Sequence, residues 1–239
     1  MERYERQMMI PQIGRKGQDI LQKASVTVIG AGGLGSPVLT YLTEAGIGHI
    51  RCIDGDVVSL SNLNRQFLHE EAGIGKAKAD SAAKRLKQMN SSVHVEAIYD
   101  RITESNVIEL IGDVNVVVDC VDNIAARLWV NNACLQKNIP LVEGGVSGFY
   151  GFVTSIVPSC ACLECMGYHR RMDRQIVPAL GTTAGVIGAL QANECLKILL
   201  GVGNPLYGRI LQYDGLAGEF DEIEVKKSDT CKAHGRNKE

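Results

Sequence analysis

Several groups of residues in this chain have types and spacings suited to chemistry. The first is a glycine loop, Gly30-Ala31-Gly32-Gly33-Leu34-Gly35. Glycines let a backbone approach a phosphate closely, and the free N–H groups of a helix start attract negative charge. Asp54 closes the next apolar run, where a carboxylate can accept hydrogen bonds from ribose hydroxyls. The stretch Ser59-Leu-Ser61-Asn62-Leu-Asn-Arg65-Gln66 adds amide and guanidinium donors, and Lys78 is expected one turn into the following helix. Such cations suit a reaction that breaks a triphosphate, because charge develops on the leaving pyrophosphate. In Asp119-Cys-Val-Asp122-Asn123, Asp122 is placed to hold Mg²⁺. Finally, Cys162-x-x-Cys165 has the spacing of half a tetrahedral zinc site.

These residues need a scaffold that brings strand ends together, and the hydrophobic pattern supplies one. Residues 25–29 are a short β-branched run, read as a buried strand. Residues 36–45 are apolar at helical spacing, with Pro37 in the first turn where a missing N–H costs nothing. Further strands are expected at 49–53, 93–99, 114–119 and 140–143, with helices at 75–89, 104–111 and 123–137. This alternation predicts a doubly wound, Rossmann-like α/β fold whose mainly parallel sheet binds ligand at the carboxyl ends of its strands. After residue 148 the pattern changes to an alternating run at 151–157, a long apolar helix at 182–200 and a hairpin over 209–225 turning near 215–218. The sheet should therefore end in antiparallel strands. Residues 226–239 are polar and would fray but for Cys231 and His234. We expect one domain over 1–239: an N-terminal extension (1–24), a nucleotide-binding part (25–148) and a partner- and zinc-binding part (149–239).

Composition narrows the classes. The 239 residues carry a formal net charge of −2, which gives no reason to expect nucleic acid or an anionic membrane. No apolar run is long enough to span a bilayer and the first residues do not read as a signal peptide, so a cytoplasmic protein is expected. Eight cysteines in such a chain direct attention to metal or catalysis. Cys52, Cys120, Cys134 and Cys195 fall in apolar strand or helix patterns and read as core thiols.

Taken in order, the segments Arg3-Tyr-Glu-Arg6-Gln7, Gly30 to Gly35, Asp54-Gly-Asp-Val-Val-Ser-Leu-Ser-Asn-Leu-Asn-Arg-Gln66, Gly75-Lys-Ala-Lys78, Asp119 to Asn123, Cys162-Leu-Glu-Cys165 and Gly185 to Glu194 resemble those of the ThiF/MoeB/HesA adenylyltransferases, relatives of ubiquitin-activating enzymes. The resemblance implies an enzyme that uses Mg-ATP to adenylate the C-terminal glycine of a small ubiquitin-like sulfur carrier ending in Gly-Gly. The acyl-adenylate would lead to a thiocarboxylate for molybdopterin, thiamine or other sulfur transfer. It further implies that Gly32 and Gly33 lie under the phosphates and that Asp54 binds ribose. Ser61, Asn62, Arg65, Gln66, Lys78 and Asn123 would complete the nucleotide contacts, and Asp122 would take the magnesium. Arg6 would act on the phosphates of a partner subunit in a homodimer. The second half of the zinc site would be Cys231-Lys-Ala-His234, a departure from the family's second Cys-x-x-Cys, with Cys160 as a substitute ligand. The tail of the carrier would enter near residues 144–148.

The residues also suit the chemistry: the nucleophile is an ionised carboxylate, so no general base is required. No sulfurtransferase segment follows, so a separate sulfur donor is expected. Between residues 166 and 184 no further cysteine follows the zinc pair, and adenylation without a covalent enzyme–carrier link is the expectation. Two other readings account for less of the sequence. An NAD-dependent oxidoreductase explains the glycine loop but not Arg65, Lys78 or the cysteine pair. A non-catalytic scaffold does not explain the joint presence of Arg6, Asp54, Arg65, Lys78 and Asp122.

Overall fold

The alternation of apolar runs and glycine or polar breaks is realised as strands crossed by helices. In a computed structural model, residues 2–168 and 177–235 are described. Among them, β1 (Ser25–Ile29), β2 (His49–Ile53), β3 (His94–Ile98), β4 (Val116–Asp119) and β5 (Leu141–Ser147) pair in parallel. Then β6 (Tyr150–Ile156), β7 (Arg209–Asp214) and β8 (Glu219–Glu224) continue antiparallel. The order in the eight-stranded sheet is β3-β2-β1-β4-β5-β6-β7-β8. The chain reverses direction of growth between β1 and β4, so a crevice opens at their carboxyl ends.

Helices cover both faces. The strands alternate accordingly: Val26, Val28, Ile50 and Cys52 face one core, while Ile29, Ile53, Val117 and Leu141 face the other. The first core is closed by α3 (Gly35–Ala45), α4 (Lys78–Met89) and α7 (Gly181–Leu200); the second by α5 (Val107–Ile111) and α6 (Ile124–Lys137). At the amino terminus, α1 (Glu5–Met8) packs on α2 (Gly14–Lys23), and α2 packs against α7. Tyr4 is buried, its hydroxyl accepting from Asn90 Nδ2 at 2.8 Å, and Gln7 and Gln18 donate to the Ala45 carbonyl that ends α3. These contacts fasten the first residues to the body.

Several local boundaries shift; the helix expected from residue 104 begins at Val107 and the strand expected from 114 begins at Val116. The helix expected from residue 75 begins at Lys78, because Gly75 takes a left-handed φ of +85° and Lys78 N–H donates to Asp56 O at 2.9 Å. Residues 75–77 therefore run alongside the loop after β2, and Lys78 is the first residue of α4 and not one turn inside it. The fifth strand extends from 143 to Ser147, drawn out by its antiparallel partner, with Ser147 opposite Tyr150. Within the polar tail, α8 (Lys232–Gly235) packs Ala233 into the second core.

Candidate active site

The crevice is walled first by the glycine loop. Gly30 adopts φ +99°, and a Cβ on Gly35 would lie 1.8 Å from the Gly30 carbonyl, so this turn closes only with glycine at both positions. The helix it opens, α3, is approached closely by α7 at Gly188, where a Cβ would stand 2.4 Å from Pro37 Cγ. Asp54 holds the loop from below: one oxygen accepts from Ala31 N–H and the other from Asp56 N–H, each at 2.8 Å. A carboxylate has about four acceptor positions, so Asp54 keeps capacity for hydroxyls.

His69 holds the loop from behind. Its Nε2–H donates to the Ala31 carbonyl at 2.8 Å, and Nδ1 lies 3.0 Å from Ser81 Oγ on α4. Burial, with Lys78 nearby, pushes the imidazole pKa below its usual value. A carbonyl can only accept, so the neutral ring carries its proton on Nε2 and accepts from Ser81.

The cavity in this crevice encloses about 1020 Å³. Gly32, Gly33, Asp54, Arg65, Gln66 and Lys78 line it on one side, with Asp122 and Asn123 opposite. The Lys78 side chain is only 7% exposed, and its ammonium meets Asp56 at 3.2 Å; Arg101 meets the other oxygen of Asp56 at 2.8 Å. Arg65 is held over the loop by Ser61 O and Asn64 Oδ1. Gln66 is buried with Oε1 unpartnered, and its amide nitrogen faces Gly32. The cavity continues past β5, where Gly145, Val146 and Ser147 form one wall and Tyr150, Phe152 and Tyr168 contribute to it. Gly144 does not line this slot; it sits beneath Gln191 of α7, 2.5 Å from where its Cβ would be.

The expected residues divide in the structure. Asn62 lies in an adjoining recess of about 330 Å³ shared with Lys78 and Arg101. Ser61 lines neither hollow, and its hydroxyl lies 3.1 Å from Ser59 Oγ. Asn123 lines the cavity, but its side chain also caps α6, accepting from Ala126 N–H at 2.8 Å. Arg6 is exposed and lies outside the cavity of its own chain. Sequence reasoning missed Asp56, His69, Arg101 and Arg127. Arg101 follows the end of β3, so the rule that ligands bind at carboxyl ends of strands could have found it. Asp56 lies within the Asp54 to Gln66 block but was given no role, and His69 and Arg127 carry no motif signal.

A second cluster lies at the far side of α6. Sγ of Cys162, Cys165 and Cys231 and one imidazole nitrogen of His234 all fall within 4.8 Å of one another. The Cys162 sulfur is 3.9 Å from that of Cys165 and 3.6 Å from that of Cys231. Tetrahedral ligands at a Zn–S distance of about 2.3 Å would stand about 3.8 Å apart. Ser228 N–H donates to Cys165 Sγ at 3.4 Å, and buried His234 Nε2 has no hydrogen-bond partner. Three thiols and an orphaned imidazole nitrogen fit zinc. Cys160 is outside the set.

Cys52, Cys134 and Cys195 are fully buried, and burial drives their thiols far above the usual range. Cys120 is 8% exposed at the cavity wall, with its thiol likewise raised by burial. The arginines of the segment after the first cysteine pair, Arg170, Arg171 and Arg174, lie outside the described residues.

Comparison with known proteins identifies the family. The profile of the ThiF family matches residues 4–233. A sulfur carrier protein adenylyltransferase of Thermus thermophilus is 39% identical, over 98% of this chain and 91% of its own length. A SAMP-activating enzyme E1 of Haloferax volcanii is 36% identical, over 98% of this chain and 89% of that protein. The crystal structure of Escherichia coli MccB with ATP superposes with a TM-score of 0.84 at 25% identity, covering 91% of this chain and 68% of that one. With the family profile running from residue 4 to 233 and both relatives matching over 98% of its length, the chain belongs to the ThiF family.

Proposed function

We propose that this chain is an adenylyltransferase that uses ATP to activate the C-terminal glycine of a small ubiquitin-like sulfur carrier. The observation that carries the reading is one continuous cavity with a cationic phosphate end at Gly33, Arg65 and Lys78 and a narrow glycine-walled slot at Gly145. A hydride-transfer enzyme has no use for the cations, and a scaffold has no use for the slot. The similarity to a sulfur carrier adenylyltransferase and to MccB crystallised with ATP supports the same substrates.

In this reading the carrier's terminal carboxylate, ionised at neutral pH, attacks the α-phosphorus. A carboxylate–phosphorus bond forms, the bond to the bridging oxygen breaks, and pyrophosphate leaves with the electron pair. The glycine loop and Gln66 cradle the phosphates and Asp54 takes the ribose, with Ser61, Asn62 and Asn123 in support. Arg65 and Lys78 neutralise charge on the leaving group, which is where preorganised donors accelerate most. Asp122 would hold Mg²⁺, an ion that takes one or two carboxylates together with substrate phosphates and there offsets their charge. The partner subunit's Arg6 would complete the phosphate site in a homodimer.

Cys162, Cys165, Cys231 and His234 would hold a structural zinc, a closed set that ties the C-terminal segment to the body. Residues 1–24, 25–148 and 149–239 act as one adenylation domain, since one sheet passes from the nucleotide strands to β8. Sulfur would come from a separate donor to give the carrier's thiocarboxylate, for molybdopterin, thiamine or another sulfur-transfer pathway, in the cytoplasm. The test is ATP–pyrophosphate exchange with a ubiquitin-fold protein ending in Gly-Gly. Exchange that requires the carrier and is lost when its final glycine is removed is expected; NAD binding without exchange would overturn the reading.

A further inference from the structure

Past Asp119 the neighbouring strands β4 and β5 part. Their ladder ends with the pair Asp119 and Glu143. From there β4 gives way to the loop that carries Asp122, while β5 runs on through Gly144 into the slot at Gly145. A ladder that opens in this way leaves carbonyls without a strand partner, and buried carbonyls require one. One side chain serves both sides of the gap. Arg127, in the first turn of α6, donates from Nη2 to Val121 O at 2.6 Å and from Nη1 to Gly144 O at 2.8 Å. It is 9% exposed, forms part of the cavity wall and is ion-paired with the fully buried Glu143.

We propose that Arg127 is a positioning residue for adenylation, whose guanidinium sets the separation of the Asp122 loop from the Gly145 slot and so aligns α-phosphate and carboxylate. The inference rests on the adenylation reading above. Its physical basis is the guanidinium itself, a planar, rigid fork that spans two acceptors at fixed geometry where a lysine ammonium cannot. The Glu143 carboxylate holds the fork in place, and Asp119 fixes the segment it grips. Glu143 and Asp119 are both fully buried, and Asp119 Oδ1 accepts from Val121 N–H at 2.9 Å, on the same peptide segment that Arg127 grips. Charged clusters of this kind are often no better for stability than apolar packing of the same volume. Its place between the two substrate-binding walls gives it a different use, because a misplacement of about 1 Å can cost about 10²-fold in rate.

The experiment compares wild type, Arg127→Lys, Arg127→Ala and the double variant Arg127→Met/Glu143→Gln, which removes both charges together. Pyrophosphate exchange is measured with a ubiquitin-fold protein ending in Gly-Gly, and nucleotide affinity is measured separately by calorimetry with the non-hydrolysable analogue AMPCPP. We expect kcat to fall about 10²-fold in every folded variant, with AMPCPP affinity and carrier KM each within about threefold of wild type. Guanidinium ion should restore part of the kcat of Arg127→Ala without changing KM. Wild-type kcat in any folded variant, or a loss lying wholly in AMPCPP affinity, would overturn the proposal. So would failure of all the variants to fold, which would make the bridge structural. A wild-type chain inactive with every such carrier would instead overturn the adenylation reading, and this proposal with it.

Discussion

Lys78→Met removes the charge at the phosphate end of the cavity and keeps the buried stem, whereas Lys78→Ala removes both. The side chain is 7% exposed, with its ammonium 3.2 Å from Asp56. The methylenes beyond Cβ, at about 0.8 kcal/mol each, make the alanine variant about 2 kcal/mol less stable. The lost ion pair adds under about 1 kcal/mol, because Asp56 is 52% exposed and keeps Arg101 at 2.8 Å. For a chain of this size each kcal/mol moves Tm by about 2–4 °C, so Lys78→Ala should melt about 4–12 °C below wild type and Lys78→Met within about 4 °C of it. Activity should not follow that order. Both variants lose one preorganised donor to the leaving pyrophosphate, worth about 10²–10³ in kcat. Melting curves and pyrophosphate exchange on the same preparations separate the two effects. A methionine variant exchanging within about threefold of wild type would show that the charge is not used. A methionine variant that melts as low as the alanine one would make its lost activity a folding effect.

The cysteine cluster should carry about one zinc per chain, and Cys231→Ser or His234→Ala should release it and loosen the C-terminal segment to proteolysis; protein purified without chelator and free of zinc would refute the site. Mixing Arg6→Ala and Lys78→Ala chains, each inactive alone, should recover about a quarter of the activity if sites are shared across a dimer; no recovery, or a monomer in light scattering, would sink the shared-site reading. Enzyme, ATP and carrier run on a non-reducing gel should show no thiol-sensitive adduct, because Cys52, Cys134 and Cys195 are fully buried with their thiols raised; a band of enzyme plus carrier would point to Cys120 at the cavity wall, to half-buried Cys160 or to a cysteine of the zinc set. Burial, opposed by Arg127, pushes the Asp119 carboxyl up to about 6. The native state then binds this proton more tightly than the unfolded chain, so the contribution is full below about pH 4 and is lost as pH rises through about 6. Denaturation midpoints across that window should fall less steeply with pH in Asp119→Asn than in wild type, and equal slopes would contradict the assignment.

Much of this protein is legible in its sequence because the signals are local. β1 and β2 form over the residues their β-branched runs mark, and the glycine loop needs glycine for reasons of backbone contact at Gly30 and Gly35. The Cys162 and Cys165 pair is legible from ligand spacing, and the family resemblance joins it to Cys231 and His234. Other features depended on which strand ends became neighbours. Asp56 couples Lys78 to Arg101 only because β3 lies beside β2, and Arg127 reaches both Val121 and Gly144 only because β4 stops at Asp119 while β5 continues. His69 bonds Ala31 across a gap of sequence that no periodicity spans. Conversely, Asn123 serves α6 as a cap and Ser61 turns toward Ser59, local demands that compete with any ligand for the same polar atoms. Composition, period and turn chemistry determine elements one at a time. The placing of a charge against a carbonyl or carboxylate far away in sequence is decided by sheet order, which long-range packing sets.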